Sequence, residues 1–114
     1  MSETVLQAAF GRLTIPWTEE KERILLSYMD RILERNRQVN LTAITGREEF
    51  IEKHLVDSLD CARAEGFSRA ATVIDVGTGG GFPGVPLAVA FPEKNFTLVD
   101  SLQKRVRIVD ELCR

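Results

Sequence analysis

A chain of 114 residues, 44% hydrophobic and 28% charged, is long enough for one modest core. Its net charge of −2 excludes the broadly basic surface of a dedicated nucleic-acid binder, so any RNA contact must come from local clusters. No apolar run approaches the ~18 residues of a membrane span, and Met1-Ser2-Glu3 does not begin a signal peptide. These features predict a cytoplasmic protein with no membrane partner. Cys61 and Cys113 lie far apart, without CxxC spacing or a histidine cluster, so two free thiols and no metal are expected.

In chain order, Val5, Leu6, Ala9, Phe10 and Leu13 predict a short amphipathic helix ending near Pro16. Thr18 is placed to cap the next, with Glu19, Glu20 and Glu22 in the first turns, where the helix dipole favours negative charge. Leu25, Met29, Ile32 and Leu33 recur at helical spacing on its buried face, while Arg31, Arg35 and Arg37 form a local basic cluster. Asn40 to Ile44 reads as a loop in which Asn40 can cap a turn. Thr45 and Glu48 then have the spacing of a capping box. The helix they open should bury Phe50, Ile51, Leu55, Leu59 and Ala62 and run to Glu65, with Gly66 as a left-handed stop.

From residue 70 the period changes. Thr72 to Val76 is a β-branched, nearly continuous apolar run, as in a strand covered on both faces. A glycine-rich turn follows, then a short helix through Val85, Leu87, Ala88 and Ala90, closed by Pro92. Asn95 to Val99 is a second strand ending at Asp100. Ser101 can cap a last helix with Leu102, Val106, Val109 and Cys113 on one face. This rhythm predicts an α/β fold with parallel pairing and a right-handed crossover, divided into a helical region (1–68) and a β-α-β-α region (69–114).

The turn reads Asp75-Val-Gly77-Thr-Gly79-Gly-Gly81-Phe82-Pro-Gly84. Gly79, Gly81 and Gly84 satisfy the dinucleotide fingerprint G-x-G-x-x-G. Asp75, Gly77, Gly79 and Gly81 equally satisfy D-x-G-x-G-x-G, a pattern associated with S-adenosylmethionine. The Asp75 carboxylate separates the two. It would repel the phosphates that a dinucleotide lays over such a turn. It would attract the ammonium of S-adenosylmethionine, whose carboxylate can meet turn amides. Gly77, Gly79 and Gly81 permit positive φ and close approach of a ligand to the backbone. Asp100, 19 residues beyond Gly81 at the end of the second strand, is placed to accept from ribose hydroxyls.

Val73 to Leu87, with the Phe82-Pro83-Gly84 continuation, closely resembles the core of the small-subunit (16S) ribosomal RNA guanine-N7 methyltransferases, once named glucose-inhibited division protein B. Asp100-Ser101-Leu102, Lys104-Arg105, Asn40-Leu41-Thr42, His54 and Asp57-Ser58 look like the same family, so the resemblance covers about residues 23 to 114. It implies a Rossmann-like class I methyltransferase sheet behind an N-terminal helical cap. It further implies S-adenosylmethionine as methyl donor, contacted by Gly77 and Phe82, with Phe82 near the adenosine or methionine portion. The 16S ribosomal RNA or small ribosomal subunit would be the partner, with no DNA, and the full-length protein would be a monomer. His54 is expected to bond locally and fix the helical cap on the sheet rather than act at the target base. Guanine N7 carries an available lone pair, so no general base is required and no catalytic residue is assigned.

Domains of that kind have about seven strands, whereas this sequence supplies two. The chain is therefore expected to be a fragment that binds the donor weakly and does not methylate RNA alone. The alternatives are a methyltransferase with another substrate, an NAD-dependent oxidoreductase disfavoured by Asp75, or a non-catalytic RNA-binding or interaction module using Arg31, Arg35, Arg37, Lys104, Arg105 and Arg107.

Overall fold

The computed structural model describes residues 3–38, 41–100 and 103–113. Thr4 caps α1 (Val5–Arg12) by accepting from the Gln7 amide at 3.0 Å, and Thr18 caps α2 (Glu19–Arg35) by accepting from that of Lys21 at 3.0 Å. Glu22 does more than complement the dipole. Its Oε1 accepts from Trp17 Nε1 at 2.9 Å and from Thr4 Oγ1 at 2.8 Å, fastening the starts of the two helices together. Leu25, Met29 and Ile32 are fully buried, as their spacing predicts, and Tyr28 joins them.

The next helical stretch is irregular. It passes from α3 (Arg47–Phe50) through a wide i→i+5 turn (Ile51–Val56) into α4 (Asp57–Asp60) and a tight 3₁₀ turn (Cys61–Arg63). The expected capping box does not form. Gly46 occupies the cap position with no side-chain bond, and its carbonyl accepts from the Phe50 amide at 2.9 Å. Thr45 thus stands one residue outside the helix, and its spacing to Glu48 no longer matches a cap. Gly66 has the left-handed φ of +85° that was expected, although the helix closes earlier, at Arg63.

Strands β1 (Thr72–Val76) and β2 (Asn95–Val99) pair in parallel, from Thr72 opposite Asn95 to Val76 opposite Val99. The crossover between them carries α5 (Gly84–Ala90), packed on α2 and α4. Val73, Asp75, Phe96 and Leu98 share the covered face. Ile74, Val76 and Val99 are 61, 79 and 45% exposed on the other. The apolar run is therefore covered on one face rather than two, because the helices all lie on one side of this small sheet.

Helix α6 (Gln103–Leu112) buries Ile108, Val109 and Leu112, so its inner stripe is turned from the predicted Val106–Val109–Cys113 line, and Cys113 is exposed. Ser101 and Leu102 lie outside the described residues. Two arginines of α2 bond to α6 in this orientation. Arg31 donates to the Leu112 carbonyl at 2.9 Å, and Arg35 meets Glu111 at 2.6 Å. One buried cluster runs from Leu6 through Val85 to Leu112, so the helical region and the β-α-β-α region share a core.

Candidate functional site

The loop leaving β1 continues the parallel ladder before it turns. The amides of Gly77 and Thr78 both donate to the Val99 carbonyl, at 2.6 and 3.0 Å. Gly77, Gly79 and Gly81 then adopt φ of +73°, +58° and +95°, which side chains strongly disfavour. Their surroundings differ. A Cβ at Gly77 or Gly79 would meet nothing within 4 Å, so the backbone there is open to a ligand. A Cβ at Gly81 would stand 2.4 Å from Tyr28 Oη, and one at Gly84 would stand 2.8 Å from Leu98 and 2.9 Å from Asp75 Oδ2. Gly81, grouped by its sequence pattern with the ligand-approach glycines, faces the interior.

Both predicted carboxylates converge on this loop. Asp75 Oδ2 accepts from Thr78 Oγ1 at 2.6 Å and from the Gly84 amide at 3.0 Å, bracing the turn from strand to helix. Asp100, at the end of β2, reaches across and accepts from the Gly79 amide at 2.8 Å. The Gly79 and Gly84 amides thus hold side-chain carboxylates, and a ligand carboxylate at Gly79 would take the place of Asp100. Thr78, 2% exposed, was not singled out from the sequence. Its signal is a hydroxyl three residues after an acid at a strand end, the spacing for a local side-chain bond.

Behind the loop stands an aromatic wall from the helical region. Tyr28, buried, donates its hydroxyl to the Gly80 carbonyl at 2.8 Å, and burial pushes its pKa far up, so it remains a neutral donor. Phe82 lies half-buried, stacked on His54 with ring centres 4.4 Å apart and planes 10° apart. The rings of Phe50 and Tyr28 meet it edge-on at 5.4 and 6.0 Å. His54 Nε2 is 2.6 Å from Thr42 Oγ1. Burial pulls the imidazole pKa down, against the opposing pull of Asp57. His54 therefore does bond locally and join the helical region to the sheet region.

Asn40 lies outside the described residues. Asn36 caps the described part of this loop: its Oδ1 accepts from the amides of Leu41 and Thr42 at 2.7 and 3.0 Å. Arg31 and Arg35 are occupied on α6, which weakens the basic cluster as an RNA surface. A cavity of about 670 Å³ between α2, α5, β2 and α6 touches Tyr28 but none of the loop glycines. Among the described residues, no three or more His, Cys, Asp or Glu side chains group to hold a metal, and no helix is long and apolar enough to cross a membrane.

The family model described as rRNA small subunit methyltransferase G matches residues 21–114. Among curated relatives, the ribosomal RNA small subunit methyltransferase G of Alkaliphilus metalliredigens is 44% identical over 97% of this chain and 46% of its own length. That of Alkaliphilus oremlandii is 42% identical over 96 and 46%, and that of Clostridium perfringens 40% identical over 95 and 45%. The chain thus spans about half the length of the curated relatives it matches.

Proposed function

Because the chain belongs to the rRNA small subunit methyltransferase G family, we propose that its glycine loop binds S-adenosylmethionine. The whole protein would methylate guanine N7 in small-subunit (16S) ribosomal RNA. One observation carries this reading: Gly77 and Gly79 present open backbone at positive φ between two carboxylates, Asp75 and Asp100. Asp75 suits an ammonium and disfavours the phosphates of a dinucleotide, while Asp100 suits the ribose that either cofactor carries. When bound, S-adenosylmethionine supplies an electrophilic methyl group on a sulfonium.

The residues of this chain would bind and orient rather than transfer protons. Asp75 would offer its negative charge to the donor's ammonium, directly or through water, while Thr78 and the Gly84 amide keep its carboxylate in place. Asp100 would exchange its bond to the Gly79 amide for the ribose hydroxyls. Gly77 would admit the donor along the backbone, and Phe82 would flank it from the aromatic wall. The attacking N7 already holds a lone pair, so rate acceleration would come from alignment of nucleophile, methyl and leaving sulfur. In this reading β1 and β2 belong to a Rossmann-like class I sheet, residues 1–68 form its helical cap, and the activity requires more chain than these 114 residues.

A chimera tests the proposal. This chain replaces the matching portion of the Alkaliphilus metalliredigens relative, and methyl transfer to small-subunit ribosomal RNA is followed with labelled S-adenosylmethionine. Aniline cleavage then reports N7-methylguanine. Labelling with a new cleavage site is expected in the chimera and not with the 114-residue chain. A folded chimera that binds RNA but transfers no methyl group would overturn the reading.

A further inference from the structure

His54 is the chain's single histidine, and the mechanism proposed above gives it no proton to move. It nevertheless sits in the wide turn Ile51–Val56, a helix geometry that is uncommon and that recurs at functional sites. The turn brings Phe50 and His54 together, with ring centres 4.8 Å apart, against Phe82. Phe82 in turn lies on Gly80: a Cβ there would meet the Phe82 ring at 3.3 Å and the Leu41 carbonyl at 3.4 Å. Gly80 is next to Gly79, whose amide meets Asp100. A continuous line of contacts therefore runs from Thr42 through His54, Phe82 and Gly80 to the open part of the loop.

The first link joins Thr42 Oγ1 to His54 Nε2 at 2.6 Å, with the Ile44 amide donating to the same hydroxyl at 3.1 Å; the imidazole tautomer decides which of the two partners donates across the 2.6 Å contact. We propose that His54 is a positioning residue for the glycine loop. As a neutral imidazole with its proton on Nδ1, it accepts the Thr42 hydroxyl proton, fixes the plane on which Phe82 stacks, and so sets the path of Gly79 and Gly80. The consequence for ligand binding rests on the donor reading above. Protonation would reverse the bond to Thr42, because Nε2 would then become a donor. Thr42, Phe50 and Phe82 bring no charge to the ring. Asp57, one turn along, is the carboxylate that acts on it, against burial.

A single histidine makes the test clean. The imidazole nitrogens and the loop amides are followed by ¹⁵N NMR across pH in the wild-type chain. They are followed again in Thr42→Val, in His54→Phe, which keeps a ring without a titrating group, and in His54→Ala. An Nδ1–H tautomer is expected, with the Gly79 and Gly80 amides moving at the same midpoint as the imidazole. Thr42→Val should shift that midpoint. His54→Phe should abolish the pH dependence, and His54→Ala should displace the amides at every pH. An Nε2–H tautomer, or loop amides that hold still while the imidazole titrates, would overturn the assignment without reference to any variant. Titration with S-adenosylmethionine should show half-saturation rising several-fold on protonation of the wild type and not of His54→Phe. Donor binding that is absent at all pH, with loop amides still following the imidazole, would sink the donor reading and support the positioning role.

Discussion

A methyl group added at Gly77 would stand in open space, whereas at Gly81 it would press on the Tyr28 hydroxyl from 2.4 Å. Both glycines need positive φ, so alanine at either costs about 1–2 kcal/mol in backbone strain. Gly81→Ala adds overpacking of roughly 1–3 kcal/mol. Urea denaturation should therefore rank Gly81→Ala well below Gly77→Ala in stability. Asp75→Asn separates charge from shape: its amide oxygen can still accept from Thr78 and Gly84. Its melting temperature should stay near that of the wild type while donor affinity falls at least tenfold, or about 1.4 kcal/mol. The need for glycine was legible in the D-x-G-x-G-x-G spacing. Which glycine stands in open space and which faces the interior was not, because the partner of Gly81 lies on α2, far away in sequence.

At the scale of elements, α2 supports the loop through one hydroxyl, that of Tyr28 on the Gly80 carbonyl. Tyr28→Phe leaves that carbonyl in a buried setting without its donor, a loss of about 1–3 kcal/mol. Chemical denaturation should register it, together with altered Gly80 and Gly81 amide shifts. His54 links the wide turn to the same loop and contributes a pH dependence. Burial lowers its folded pKa below the unfolded value of about 6.5, so the unfolded chain takes up the proton more readily. Stability from this group is fully present above pH ~6.5 and is lost as pH falls through the lowered folded value. Urea midpoints in mildly acidic buffer should drop for wild type, and His54→Phe should lack that part of the drop. Strands β1 and β2 were legible to the residue, since short β-branched runs bounded by turns have few alternatives. The α3 cap was not, because Gly46 takes the cap position that Thr45 was expected to hold. Nor was the rotation of α6, whose contacts with Arg31 and Arg35 come from another helix.

Across the whole molecule, the helices cover one face of a two-stranded sheet and leave Ile74, Val76 and Val99 on the other. A nearly continuous apolar run says that both faces of a strand suit burial but not which layers the chain supplies, so the expected double coverage is not met by these helices. An exposed apolar face beside open strand edges favours association. Sedimentation should show self-association rising with concentration, and Val76→Lys should reduce it without lowering the melting temperature. The helical region and the β-α-β-α region share a core, which places the aromatic wall of Tyr28, Phe50 and His54 directly behind the glycine loop. The proposed S-adenosylmethionine site lies on this loop, between Asp75 and Asp100. An amide NMR titration of the 114-residue chain with S-adenosylmethionine and, separately, with NADH tests it. Saturable, weak shifts at Gly77, Gly79 and Asp100 are expected from S-adenosylmethionine and none from NADH; the same shifts from NADH, or none from S-adenosylmethionine at millimolar concentration, would overturn the assignment.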